Sequence, residues 1–263
     1  MKAILYIIRN QALSQLEYKF DYVLLLFSSL FTFLTQWALF NHLPEEAVKN
    51  WSRNQLFVFT VIGIFIRSSQ MLWTVVNTFV DEIRQGSFRK YLCLPINFNC
   101  YYWAYAIGPK LPTWLTSIGI LVLFKVFHPD AHSLLPTIPS IIMFLTSFIV
   151  AITLLWSIYL SIIYLGIFFD DCHFLAYALN ISLGVLSGTI IPLEWLPNYM
   201  QTFIKNSFLI HLGHFPLHSA LGHYNWVQFT KFLTQGLTWA VILIVLNISL
   251  KKYAIKRYES YGG

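Results

Sequence analysis

Charge is scarce in this chain. Asp, Glu, Lys and Arg make up 11% of its 263 residues, less than half the roughly 25% of a soluble domain, so there is too little polar side chain to solvate a water-exposed surface. Cysteine is also sparse. Cys93, Cys100 and Cys172 have no zinc-ligand spacing and are expected near a cytoplasmic face, where thiols stay reduced. There is no Gly-x-x-x-x-Gly-Lys-Ser/Thr loop, so nothing in the sequence marks a site that binds and hydrolyses ATP. Gly-x-Ser-x-Gly and His-Glu-x-x-His are missing too, which removes the usual serine hydrolase and zinc peptidase signatures. No repeat of 20 to 50 residues is visible. Met1 to Glu17 has neither the compact apolar core nor the small-residue cleavage site of a signal peptide.

What the chain has is apolar sequence. Hydrophobic residues reach 57% and the mean hydropathy is +0.62. A bilayer core needs about 20 apolar residues per helix, and backbone groups unpaired in lipid are costly enough to force helices. Six spans are expected, over about 22–40, 55–78, 101–127, 139–169, 174–191 and 229–250. Before the first, Ile4, Ile8, Ala12 and Leu16 recur every fourth residue, which predicts an amphipathic helix lying in the membrane interface. The expected fold is therefore an all-α polytopic membrane protein forming a single transmembrane domain over 1–263. Its parts are an interfacial helix at 1–20, a cytoplasmic coupling segment at 79–98 and an outer connection at 187–227. That connection opens with Gly188, Pro192, Glu194 and Pro197, a combination that breaks the fifth helix. The stretch after it is apolar but too interrupted to span, so short, half-buried re-entrant helices are expected.

The densest charge lies between the second and third spans. Asp81, Glu82, Arg84, Arg89 and Lys90 put five charges into ten residues. Basic residues set its side. With an even number of spans, eleven lysines and arginines fall on the side of the termini and this island, and five on the other. By the positive-inside rule both termini and the island face the cytoplasm of a multi-pass inner (plasma) membrane protein. The net charge of +6 reflects that bias and does not point to nucleic acid.

Arg67 is the strongly ionised residue that falls mid-span, where insertion costs about 2.5–3.5 kcal/mol. It reads either as part of a translocation path, with Gln70 and Asn77 on the same run, or as a structural pair to Asn, Gln or a carbonyl on a neighbouring helix. Asp170–Asp171 reads as a solvated hairpin in which Asp170 caps the fifth helix. His211, His214 and His218 have helical spacing, but the nearest acid, Glu194, stands behind a proline, and no metal site is expected.

Three stretches together resemble one family. Glu82–Ile83–Arg84–Gln85–Gly86–Ser87 through Leu92, Leu94, Pro95 and Ile96 is similar to an I-R-x-G…L-x-x-P segment between spans two and three. Ser187–Gly188, Ile191–Pro192–Leu193 and Leu196–Pro197 are similar to an S-G-x-x-x-P-L-x-x-L-P break after span five. Phe208 to Gly222, with Phe215–Pro216 and Leu221–Gly222, is similar to an outer segment ending in P…L-x-G. Taken in order along nearly the whole chain, they resemble the membrane subunit of type 2 exporters among the ATP-binding-cassette (ABC) transporters. Asn206–Ser207–Phe208 lacks the proline that often precedes the last motif.

The resemblance implies a subunit that is not itself an enzyme and binds no cofactor. ATP and Mg would sit on a separate cytoplasmic ABC ATPase. It also implies a second permease, identical or related, with membrane lipids around the pair. The ATPase would dock on Asp81, Glu82, Arg84, Arg89 and Lys90, with Ile83, Phe88 and Leu92 as apolar anchors. An amphipathic cargo such as a drug, peptide or lipid is expected. The alternatives are a membrane-embedded lipid-modifying enzyme, which needs an ionisable cluster at one depth, and a secondary transporter, which commonly shows internal repeats.

Overall fold

In a computed structural model of the protein, residues 2–17, 19–43, 51–127, 137–169 and 171–258 are described, and all regular structure among them is helical. Thirteen α-helices follow in order: α1 Lys2–Glu17, α2 Lys19–His42, α3 Arg53–Gln70, α4 Trp73–Arg84, α5 Arg89–Leu92, α6 Phe98–Ile107, α7 Lys110–Phe127, α8 Ile138–Leu165, α9 His173–Leu186, α10 Asn198–Asn206, α11 Leu209–Leu212, α12 His214–Ala220 and α13 Trp226–Arg257. Local chemistry fixes several starts. Ser52 and Gln55 form a capping box on α3, and Asn225 and Gln228 form another on α13. Thr137 caps α8, with proline in its first turn.

Among the described residues, three helical runs are long and apolar enough to cross a membrane: Gln55–Arg84, Ile138–Leu165 and Trp226–Arg257. Helices lie over the six stretches read as spans, but only these three runs have the length and hydropathy to cross, and the second, third and fifth depart from expectation. The fifth, α9, has only 14 residues, about 21 Å of helix against a hydrocarbon core of about 30 Å. The second does not stop near residue 78. It breaks at Met71–Leu72 and resumes as α4, running to Arg84. Neither Gly nor Pro marks this break. Side chains from elsewhere satisfy the backbone it frees: Tyr159 Oη donates to the Gln70 carbonyl at 3.3 Å and Lys110 Nζ to that of Met71 at 2.6 Å.

The third expected span divides at Gly108–Pro109 into α6 and α7. Gly108 is required there because α1 crosses it: a Cβ would stand 2.4 Å from Gln11 Cβ and 2.7 Å from the Ile8 carbonyl oxygen. Helix α1 thus turns Ile4, Ile8 and Ala12 toward the protein, while Leu5, Leu13 and Leu16 are exposed. Leu16 leaves the stripe that its spacing predicts.

Helices α8 and α13 pack along their length. Gly236 and Ala240 let the backbones approach, a Cβ on Gly236 meeting Val150 at 2.9 Å. Asn247 clasps the pair, its Nδ2 donating to the Ser157 carbonyl at 2.9 Å while its Oδ1 accepts from Ser161 Oγ at 3.1 Å. The connection between α9 and α13 lies deeper than half-buried. Every residue from Leu209 to Ala220 is buried. The Ser187–Thr189 break is wedged between Gly63 on α3 and Gly213, where Cβ atoms would stand 2.5 Å from the Thr189 oxygen and 2.4 Å from the Ser187 oxygen.

Candidate functional site

The charged island folds as the end of a long helix, a tight turn and one further helical turn. Helix α4 ends at Arg84, and Gly86 takes φ +72°, a left-handed conformation that favours glycine. The chain then doubles back: Phe88 N and Ser87 Oγ both donate to the Glu82 carbonyl, at 3.1 and 3.2 Å. Glu82 and Lys90 close the turn with an ion pair of 2.7 Å. From the opposite end of the chain, Tyr258 Oη donates to the Gly86 carbonyl at 2.9 Å, and its ring meets Phe88 edge-on at 5.7 Å.

The anchors expected at this turn divide into two sets. Ile83 is 7% exposed and Phe88 1%. Both belong to the apolar core that also holds Phe79, Tyr91, Phe98 and Tyr102, so they support the turn from within and present no knob to a partner. Asp81, Arg84, Arg89 and Lys90 are exposed, as are Leu92 and Leu94 at 37% and 39%. Two grooves flank Leu94 and Ile96. One, of about 360 Å³, runs toward Lys251 and Ile255; the other, of about 520 Å³, runs toward Ala3, Tyr6 and Ile7 of α1.

Asp81 is tied to the α8–α9 hairpin. The His173 imidazole bridges Asp81 Oδ1 at 3.1 Å and Asp171 Oδ1 at 2.6 Å. Asp171 also accepts from the His173 backbone N–H at 2.9 Å; Asp170, expected to cap this helix, lies outside the described residues. That backbone bond, with the imidazole, holds the Asp171 carboxyl below its ordinary range.

Arg67 has structural partners. Its Nη2 donates to the Asn180 carbonyl of α9 at 2.7 Å and its Nη1 to Gln70 Oε1 at 3.4 Å. Gln70 Nε2 in turn donates to the Leu212 carbonyl at 3.0 Å. Asn77 lies on α4 beyond the break, with its Oδ1 buried and without a hydrogen-bond partner among the described residues. Arg67 and Gln70 are thus brought together, joining α3 to α9 and α11.

At the other end of the buried connection, Gly188 takes φ +73°, and Pro192 leads into a 3₁₀ turn, Leu193–Trp195, that carries Glu194. Gln201 Nε2 donates to the carbonyls of Glu194 and Leu196, at 3.2 and 2.9 Å, and so fixes the chain across Pro197. Glu194 comes close to His214 and His218, their ligand atoms all lying within 4.8 Å of one another. Sequence reasoning set Glu194 aside because of the proline, yet that proline turns it toward the histidines. Two contributors to the charged turn were also missed. Tyr258 is remote in sequence and carries no local signal. Leu94 lies within the L-x-x-P segment, where nothing local marks it as exposed.

The ABC-2 family transporter protein model matches residues 25–262. No curated protein matches the chain.

Proposed function

Since the chain belongs to the ABC-2 family of transporter proteins, and is thereby the multi-pass membrane permease component of an ABC transporter, we propose that it works as an exporter. A separate cytoplasmic ATPase that binds ATP and Mg drives it, and it pairs with a second permease, identical or related. Its cargo is an amphipathic molecule of the drug, peptide or lipid class, consistent with a chain in which no large polar segment interrupts the apolar runs.

The carrying observation is the coupling turn, where exposed charge and apolar side chain are mounted on a buried aromatic base. Arg84, Arg89 and Lys90 supply complementary charge and register, and Leu92 and Leu94 supply apolar contact. The flanking grooves give the ATPase room to seat. Glu82, Ile83 and Phe88 act by holding the turn's shape. Movement of the ATPases on binding ATP then passes up α4 to the Met71–Leu72 break, next to Arg67 and Gln70. The two nucleotide states bias two arrangements of the permease through different contacts at the turn.

Co-expression with the cognate ATPase tests this reading. The permease should co-purify with the ATPase and raise its turnover. An Arg84→Glu, Arg89→Glu double variant should insert normally yet lose both effects. Undiminished co-purification and stimulation by that variant would remove the turn from the docking role.

A further inference from the structure

We propose that Glu194, His214 and His218 form a binding site for a divalent transition-metal cation of the zinc class, with His223 as the outer residue that orients His218.

The site is assembled by three local devices. His214 and His218 stand four apart on α12, so their rings share one face; their centroids are 3.9 Å apart. The 3₁₀ turn after Pro192 brings in Glu194, whose Oε1 lies 3.7 Å from His218 Nε2. Gly222, at φ +71°, reverses the chain after α12. His223 N then donates to the His218 carbonyl at 3.0 Å, and the Nδ1 atoms of His223 and His218 meet at 3.0 Å.

That last contact fixes the chemistry of His218. With Nδ1 engaged by His223, Nε2 is the nitrogen left for ligation, and it is the one facing Glu194. It is buried and has no hydrogen-bond partner among the described residues. The same holds for His214 Nδ1 and Glu194 Oε2. Buried polar atoms are rarely left unmatched, and here three side chains that each carry one also bring a ligand atom apiece within 4.8 Å of one another. A ligating histidine whose other nitrogen is held by an outer partner is the usual arrangement at metal centres.

Two histidines and a carboxylate suit zinc and its neighbours, and leave one position open. Metal–ligand bonds of about 2.0–2.2 Å put tetrahedral ligand atoms about 3.4 Å apart. The Glu194–His218 edge is near that already. The longer edges, up to 4.8 Å, close by side-chain rotation, for which Glu194 has freedom at 41% exposure. Burial holds the His214 and His218 rings well below their ordinary range, so both stay neutral and keep a lone pair for a cation. Trp51 closes one wall, its ring 5.5 Å from both His218 and His223.

Cobalt(II) titration of the full-length permease tests the site. The protein is made without a polyhistidine tag, stripped with chelator and held in lipid nanodiscs. Saturable binding with the visible bands of tetrahedral cobalt, displaced by Zn²⁺, is expected. Glu194→Gln, at the most exposed ligand, and His218→Gln should each abolish the bands. His223→Gln should weaken binding about 10–100-fold, and His211→Gln, on α11 outside the set, should leave it unchanged. Wild-type protein that binds no cobalt saturably overturns the proposal, and so do bands that survive in Glu194→Gln. The wild-type titration decides even if a histidine variant does not fold.

Discussion

Truncating Phe88 and Leu92 separately gives the sharpest test of how the charged turn is built. Both are apolar, four residues apart, and in the sequence both read as surface anchors. In the structure Phe88 is 1% exposed and Leu92 37%. Phe88→Ala empties a site walled by Phe98 at 4.9 Å, Tyr91 at 5.6 Å and Tyr258 at 5.7 Å between ring centroids. Removing a buried Phe costs about 3–5 kcal/mol. For a chain of this size that lowers the unfolding temperature by about 6 °C or more. Leu92→Ala should cost the permease less, about 1–2 kcal/mol for the two thirds of the side chain already covered. The rest of its effect belongs to docking. Full burial of a Leu yields about 1.5–3 kcal/mol, so the exposed third leaves about 0.6–1.1 kcal/mol to be gained against a partner, or roughly three- to sixfold in affinity. The assay pairs thermal unfolding of the isolated permease with titration of the ATPase onto nanodisc-held permease. A Phe88→Ala protein that unfolds at the wild-type temperature while losing the ATPase would place Phe88 on the outer surface and refute this packing.

Two further expectations concern the interior. Gly213→Ala places a Cβ 2.4 Å from the Ser187 oxygen and 2.6 Å from Thr189 Cγ2; neither the φ of −144° nor chain entropy objects to alanine, so the marked loss of thermal stability expected comes from contact alone, and unchanged unfolding would mean that the break is not wedged there. Arg67→Met leaves the Asn180 carbonyl without the 2.7 Å donor it now has, so assembly and thermal stability should suffer before transport does; a stably assembled variant with abolished transport would instead assign Arg67 to the translocation path.

The course of the chain was largely legible. Apolar runs located the helices, because lipid forces every backbone group into internal pairing. The Gly188–Pro192–Pro197 break was equally plain, since those residues act through their own backbones. The gap at Met71–Leu72 was not, because what stabilises it comes from Tyr159 and Lys110, remote in sequence. The turn after α4 stands out for its charge, but a charge count does not say which way Phe88 points. That depends on Phe98 and Tyr258 behind it. In the connection between α9 and α13 the i, i+4 spacing of His214 and His218 was visible. Their meeting with Glu194 depends on Gly213 closing against Ser187, which lies 26 positions earlier in the numbering.

The bond from Tyr258 to Gly86 makes α13 a lever. Its 32 residues form a rod about 48 Å long, and Tyr258 follows directly on its last residue. Pivoting there, a tilt of about 3° carries the Trp226 end about 2.5 Å. At that end Phe229 stacks on Phe215 with ring centroids 5.5 Å apart, one residue from His214. Because Asn247 ties the rod to α8, a tilt set at the charged turn would carry both helices and reach Phe215 as one displacement of the pair, on the scale of a side-chain contact.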